Sequence, residues 1–137
     1  MPDEAVLDAS VAAKVFIEEE GSAEASAYVL SGVRFIAPEL VLIEVANVVL
    51  KRFRRGELPR MVADHVARAS RTMFDELVPA DKLVPRAFEL AADHGLSVYD
   101  SMYVALAEAR HRRLVTADAR LIAKMANAKL AVETWTP

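Results

Sequence analysis

The chain has 137 residues, 54% of them apolar, with 17 Lys and Arg against 20 Asp and Glu and no cysteine. That is the size of one soluble domain able to bury a core without staples, and the missing thiols exclude disulfides and every Cys-containing zinc site. The longest apolar run, Met102 to Ala107, is far short of the ~20 residues of a membrane-spanning helix, and the Met-Pro-Asp-Glu start carries no basic leader, so the expected compartment is the cytoplasm.

In chain order, Ala5 to Leu7 reads as a strand, followed by two short helices over Ser10 to Glu18 and Ser22 to Leu30. Arg34 to Ala37 is a second strand. Pro38, suited to a first helical turn, opens a helix that runs to Arg55, where Gly56 supplies the stop. Leu58 to Leu77 follows as an amphipathic helix with Met61, Val62, Val66, Ala69 and Met73 on one side. The next helix, Asp81 to His94, ends at Gly95 and keeps Pro85 in its first turn. A weak strand at Leu96 to Val98, a helix over Tyr99 to Arg112, a strand at Leu114 to Thr116, a helix over Ala119 to Met125 and a strand at Leu130 to Glu133 complete the chain. No linker or repeat interrupts it, so residues 1–137 are expected to form a single domain. Short apolar bursts without alternation suit strands covered on both faces. Their alternation with helices predicts a three-layer α/β/α sandwich around a mostly parallel five-stranded sheet.

In open α/β sheets ligands collect at the carboxyl ends of the strands, so acids placed there are the first candidates for chemistry. Asp8 follows the first strand, Asp100 the weak third and Asp118 the fourth. Glu44 stands in an apolar helical stripe, with Leu40 and Val48 one turn away on either side. A carboxylate in such company is costly unless its pKa shifts, it finds a partner or it binds a metal. Two carboxylates ~4 Å apart repel by about 4 kcal/mol at an effective dielectric near 20, so a cluster of four needs a compensating cation. Oxygen ligands point to Mg²⁺ or Mn²⁺, and His65, His94 and His111 show no zinc spacing. Each acid also has a structural role open to it: Asp8 and Asp118 as helix caps, and Ser97-Val98-Tyr99-Asp100 as a capping box. Ser10, Thr116 and Asn47 are placed to hydrogen-bond these acids. Tyr99 and Tyr103 read as core tyrosines with bonded hydroxyls.

Four segments in this order resemble the PIN-domain family, most closely its small VapC-type toxin ribonucleases. They are Val6-Leu7-Asp8-Ala9-Ser10, Pro38 through Glu44 to Asn47, Leu96 through Asp100 to Tyr103, and Thr116 through Asp118 to Leu121. The resemblance implies an α/β/α sandwich, Mg²⁺- or Mn²⁺-dependent endonuclease activity on RNA, a homodimer, and inhibition by a cognate antitoxin of a type II toxin–antitoxin system. It carries the family's acids onto Asp8, Glu44, Asp100 and Asp118 as catalytic and metal-binding residues, with Ser10, Thr116 and Asn47 in support. Some relatives have a further acid after the last Asp where this chain has Ala119, Arg120 and Leu121, which leaves one metal or two open.

RNA would need cations near those acids. Lys14, the Lys51, Arg52, Arg54 and Arg55 cluster, and Arg112 with Arg113 are the candidates, although cations at a helix C-terminus also answer to the macrodipole. Other readings are a PIN-like RNA-processing nuclease without an antitoxin, an aspartyl-phosphate phosphatase with Asp8 as nucleophile and a non-catalytic metal-bound RNA-binding module. The net charge of −3 speaks against nucleic acid, but without the four acids the remainder stands at +1.

Overall fold

A computed structural model describes residues 3–137; the Met1-Pro2 start, read above for a leader, lies outside the described residues. Five strands form one sheet: β1 Glu4–Leu7, β2 Arg34–Pro38, β3 Glu76–Val78, β4 Leu114–Val115 and β5 Thr134–Trp135. They run parallel in the order β3-β2-β1-β4-β5. Ala5, Val6 and Leu7 are all fully buried. Successive strand residues point to opposite faces, so β1 is covered on both, which is why its sequence is apolar without alternation.

The helices are α1 Ala9–Phe16, α2 Ser22–Val29, α3 Leu40–Arg54, α4 Arg60–Ala69, α5 Val84–His94, α6 Val98–Arg110 and α7 Ala119–Asn127. α6 packs on β1, β2 and β4, α5 packs on α6, and α3 packs on α1 and α4. Pro85 sits in the first turn of α5, and Gly95, at φ 69°, adopts the left-handed backbone that closes it. No helix among the described residues is long and apolar enough to cross a membrane.

Five sequence expectations need correction. Leu96 to Val98 is not a strand. Ser97 caps α6 by accepting the Asp100 amide at 3.0 Å, and Val98 is already helical, so the capping signal overrides the β-branched residue. The third strand lies instead at Glu76–Val78, where a helix was expected to run on to Leu77. α4 stops at Ala69, a 3₁₀ turn occupies Ser70–Met73, and Phe74 is extended. Asp75 then fastens the new strand to β2: its carboxylate accepts the Phe35 amide at 2.9 Å, and its own amide donates to the Phe35 carbonyl at 2.8 Å. Pro38 ends β2 rather than opening α3, and the last strand falls at Thr134–Trp135 instead of Leu130 to Glu133. Within α4, Ala63 and Val66 face the core, whereas Met61 is exposed.

The chain leaves β1, builds β2 and β3 on one side, then crosses back to place β4 on the other side of β1. The connection therefore reverses direction at the β1/β4 boundary, and the carboxyl ends of these strands open a crevice of the kind that binds ligands in parallel α/β sheets.

Candidate active site

Asp8 and Thr116 emerge at that crevice, directly after β1 and β4. Asp8 is 8% exposed and Thr116 fully buried. One Asp8 oxygen accepts the Ser10 amide at 2.7 Å, capping α1; the other accepts the Thr116 hydroxyl at 2.7 Å. The same Thr116 oxygen accepts the Asp118 amide at 3.0 Å and lies 3.4 Å from the Ser10 hydroxyl, which in turn accepts the Ala117 amide at 3.0 Å. Thr116 therefore ties the loop after β4 to the loop after β1, and the expected supporting roles of Ser10 and Thr116 correspond to real bonds. Asp118 caps α7, its Oδ1 accepting the amides of Arg120 and Leu121 at 3.0 and 3.2 Å. Replacing Thr116 by Val keeps the shape but strands the Asp8 carboxylate and the Asp118 amide; we expect a loss of about 1–3 kcal/mol in chemical denaturation, with the denaturant slope unchanged.

The other two acids come from helices. Asp100 is the third residue of α6, so it reaches the site from a helix N-terminus and not from a strand end as expected. Glu44, half-buried on the second turn of α3, accepts a hydrogen bond from the Tyr103 hydroxyl at 2.5 Å. Tyr103 is the buried tyrosine with a bonded hydroxyl that the sequence suggested, its partner being Glu44, whereas Tyr99, read the same way, is exposed. The sequence shows only that Tyr103 lies three residues after Asp100 and so shares its helical face; its partner Glu44 came with the packing of α6.

The charges of these acids act on one another. Burial pushes the Asp8 carboxyl above the ordinary range; the Ser10 amide and the Thr116 and Ser10 hydroxyls oppose this, and the charge of Asp100 adds to it. Glu44 is raised by burial, against the pull of the Tyr103 hydroxyl, and further by the charges of Asp8 and Asp100. Asp100 is raised by burial, lowered by Ser97, raised by Asp118 and lowered by Lys124 and Arg120. Tyr103 is held firmly in its neutral form by burial and by Glu44.

Among the described residues no three His, Cys, Asp or Glu side chains are grouped closely enough to hold a metal ion as they stand. The donor chemistry nevertheless suits a hard divalent cation. Buried carboxylates raised by desolvation and by one another's charge are what such an ion relieves, and every donor is oxygen. The acids fit the group as a set that side-chain rotation would have to draw together.

The sequence's cationic candidates are either placed elsewhere or engaged by other groups. Arg112 and Arg113 immediately precede β4, so they lie at the amino edge of the parallel sheet, opposite the acids. There Arg112 pairs with Glu4 at 3.5 Å and Arg113 with Asp3 at 2.8 Å. Lys51, Arg54 and Arg55 lie at the far end of α3, about 10 Å or more along the axis from Glu44. Arg52 is engaged by Glu19 and Glu57, and Lys14 by Glu19 and the Glu20 carbonyl. Asn47 is exposed and, among the described residues, bonded to none of the acids. The two cations that do act on the site, Arg120 and Lys124, were not among the candidates.

The PIN domain family model matches residues 5–128. Ribonuclease VapC3 of Pyrobaculum aerophilum is 36% identical over 121 residues, covering 87% of this chain and 92% of that protein. The crystal structure of VapC20 from Mycobacterium tuberculosis, described as a Sarcin-Ricin loop cleaving toxin, superposes with a TM-score of 0.69 at 17% identity, over 87% of this chain and 93% of its own. That of VapBC2 from Rickettsia felis, bound to a DNA fragment from its promoter, gives 0.66 at 14% identity over 96% and 98%. At such identities the two structures speak for the fold alone, and they share it. With a family model spanning nearly the whole chain and a relative more than one third identical, this protein belongs to the PIN domain family.

Proposed function

We propose that the chain is a Mg²⁺- or Mn²⁺-dependent endoribonuclease, the toxin of a type II toxin–antitoxin module, working in the cytoplasm as a homodimer restrained by a cognate antitoxin. The observation that carries this reading is the delivery of Asp8, Glu44, Asp100 and Asp118 by four different segments to the carboxyl edge of a PIN sheet. The name of the P. aerophilum relative supports the ribonuclease assignment; the toxin and antitoxin parts are carried over from VapC20, a toxin, and from VapBC2, whose structures share the fold.

Asp8, Asp100 and Asp118 would hold the ion, with Glu44 beside them. Bound there, a divalent ion supplies Lewis-acid polarisation and neutralises charge developing on the scissile phosphate. The chain's own groups do the rest. Thr116 and the Ser10 amide fix both oxygens of Asp8, so its carboxylate faces the crevice in one orientation. Tyr103 occupies Oε1 of Glu44 and leaves Oε2 to accept a proton from the attacking water. A base raised above the ordinary carboxylate range by burial suits that task better than an exposed one. The exposed side chains of Ile43, Phe88 and Tyr99 leave apolar surface for a protein partner.

Incubating the purified protein with a structured RNA in Mn²⁺, and separately in EDTA, tests the reading. Internal cleavage confined to the Mn²⁺ reaction, and blocked by the antitoxin, is expected. RNA left intact in Mn²⁺, or cut equally in EDTA, would overturn it.

A further inference from the structure

Arg120 and Lys124 are exposed on α7, one turn apart, and among the described residues neither joins an ion pair. Leu121 and Met125 are buried beneath them, which fixes the rotation of the helix and keeps 120 and 124 outward. Asp118 fastens the start of the helix through the Arg120 and Leu121 amides, so Arg120 begins at the same corner as the acids. Both cations are close enough to Asp100 to act on its charge. Past Lys124 the surface continues into a groove of about 350 Å³ lined by Asp93, His94, Lys124, Asn127 and Ala128.

Helix stability accounts for Lys124, which lies in the last turn where the macrodipole favours a cation, but not for Arg120. A cation in the first turn opposes the macrodipole, and like charges at i and i+4 repel. The acid at the start of α7 is its N-cap, Asp118, whose Oδ1 is engaged by the Arg120 and Leu121 amides, and the first turn itself contains none. A polyanion lying across both residues would remove the conflict, and the adjoining crevice is where the proposed chemistry takes place.

We infer that Arg120 and Lys124 form a phosphate clamp holding the RNA backbone on one side of the scissile bond. This rests on the ribonuclease reading and deepens it. Contacts to phosphate position the strand and read no bases, so the clamp acts on RNA of any sequence and on binding more than on the chemical step. It also replaces the Lys51 to Arg55 and Arg112–Arg113 clusters, which face away from the acids.

The test uses the full chain with Arg120→Gln and Lys124→Gln, singly and together; both positions are exposed, and circular dichroism checks the fold. In the Asp8→Asn background and in EDTA, anisotropy of labelled single-stranded RNA is followed against salt. The double variant should lose about tenfold or more in affinity at low salt, and its log–log salt slope should fall by roughly 1.4, about 0.7 per lost contact. The loss should be equal for unrelated sequences. With Asp8 restored and Mn²⁺ present, KM should rise while kcat changes less than about threefold. Arg60→Gln, which removes the same charge from a residue paired with Asp64, serves as the control and should leave the slope unchanged. Unchanged slope and KM in a protein that still cuts RNA would overturn the clamp alone. So would a double variant that binds RNA normally and fails only to bind the antitoxin, which would assign the pair to a protein partner. A wild-type chain that neither binds nor cuts RNA would overturn the ribonuclease reading, and the clamp with it.

Discussion

Asp8→Asn is expected to lower RNA cleavage by at least ~100-fold while leaving the fold intact and, without divalent ions, more stable than the wild type. Loss of one electrostatic group acting on a developing charge costs about 10²–10³ in kcat, and Asp8 is proposed to supply the ion's most buried ligand. The fold should tolerate the change because its bonds survive. The Asn Oδ1 can still accept the Ser10 amide, and the Thr116 hydroxyl has two lone pairs. It already accepts the Asp118 amide, and it can accept the new Asn amide while turning its proton toward Ser10. The stability gain follows from the carboxyl's position. Burial raises Asp8 above 3.8, so near neutral pH its ionised form destabilises the native state, and an uncharged isostere removes that penalty. Steady-state cleavage and a thermal melt in EDTA check both halves. Full activity would sink the assignment of Asp8, and an unfolded variant would show that the carboxylate is structural.

The metal-free protein should gain stability as the pH falls from neutral toward the ordinary carboxylate range, and Mn²⁺ should stabilise it most at the alkaline end. Asp8 and Asp100 are raised from 3.8 and Glu44 from 4.5. A carboxyl with a raised folded pKa is protonated in the native state before it is in the unfolded chain. Between the two values the native state binds more protons, so stability rises as the pH drops through that window. Glu76 and Glu108, lowered by Arg110 and Arg86, act in the opposite sense, but their side chains are partly exposed and solvent screens them. The difference between wild type and Asp8→Asn, followed against pH, isolates the site. At a hundredfold excess over its Kd, a divalent ion adds about 2.7 kcal/mol, or roughly 10 °C in Tm for a chain of this length. Protons compete for the same carboxylates, so the increment should shrink at low pH and nearly vanish in Asp8→Asn. An increment of equal size in that variant would place the ion elsewhere.

Much of this site was readable from local pattern. Asp8 could be placed because a short, uniformly apolar burst ends at Leu7, and Asp118 because Leu114-Val115-Thr116 does the same. Glu44 stood out by its apolar neighbours. The cation clusters were legible as clusters but were assigned to the wrong end of the molecule. In a parallel sheet, residues just before a strand go to the amino edge and residues just after it to the carboxyl edge. Arg112 and Arg113 precede β4 and therefore could never face Asp118.

The sequence by itself determined the alternation of elements, the parallel sheet buried on both faces, and the acids at the ends of β1 and β4, because each depends on periodicity and order over a few residues. Tertiary structure alone decided the rest. Glu76–Val78 is a strand only because β2 offers its edge and Asp75 pins it there. Tyr103 became part of the site because α6 packs its face toward Glu44, 59 residues away in sequence. The clamp proposed for Arg120 and Lys124 depends on the α7 cap, which starts their helix at the Asp118 corner. Each depends on contacts between segments distant along the chain, which are fixed when elements pack and leave no mark in local composition.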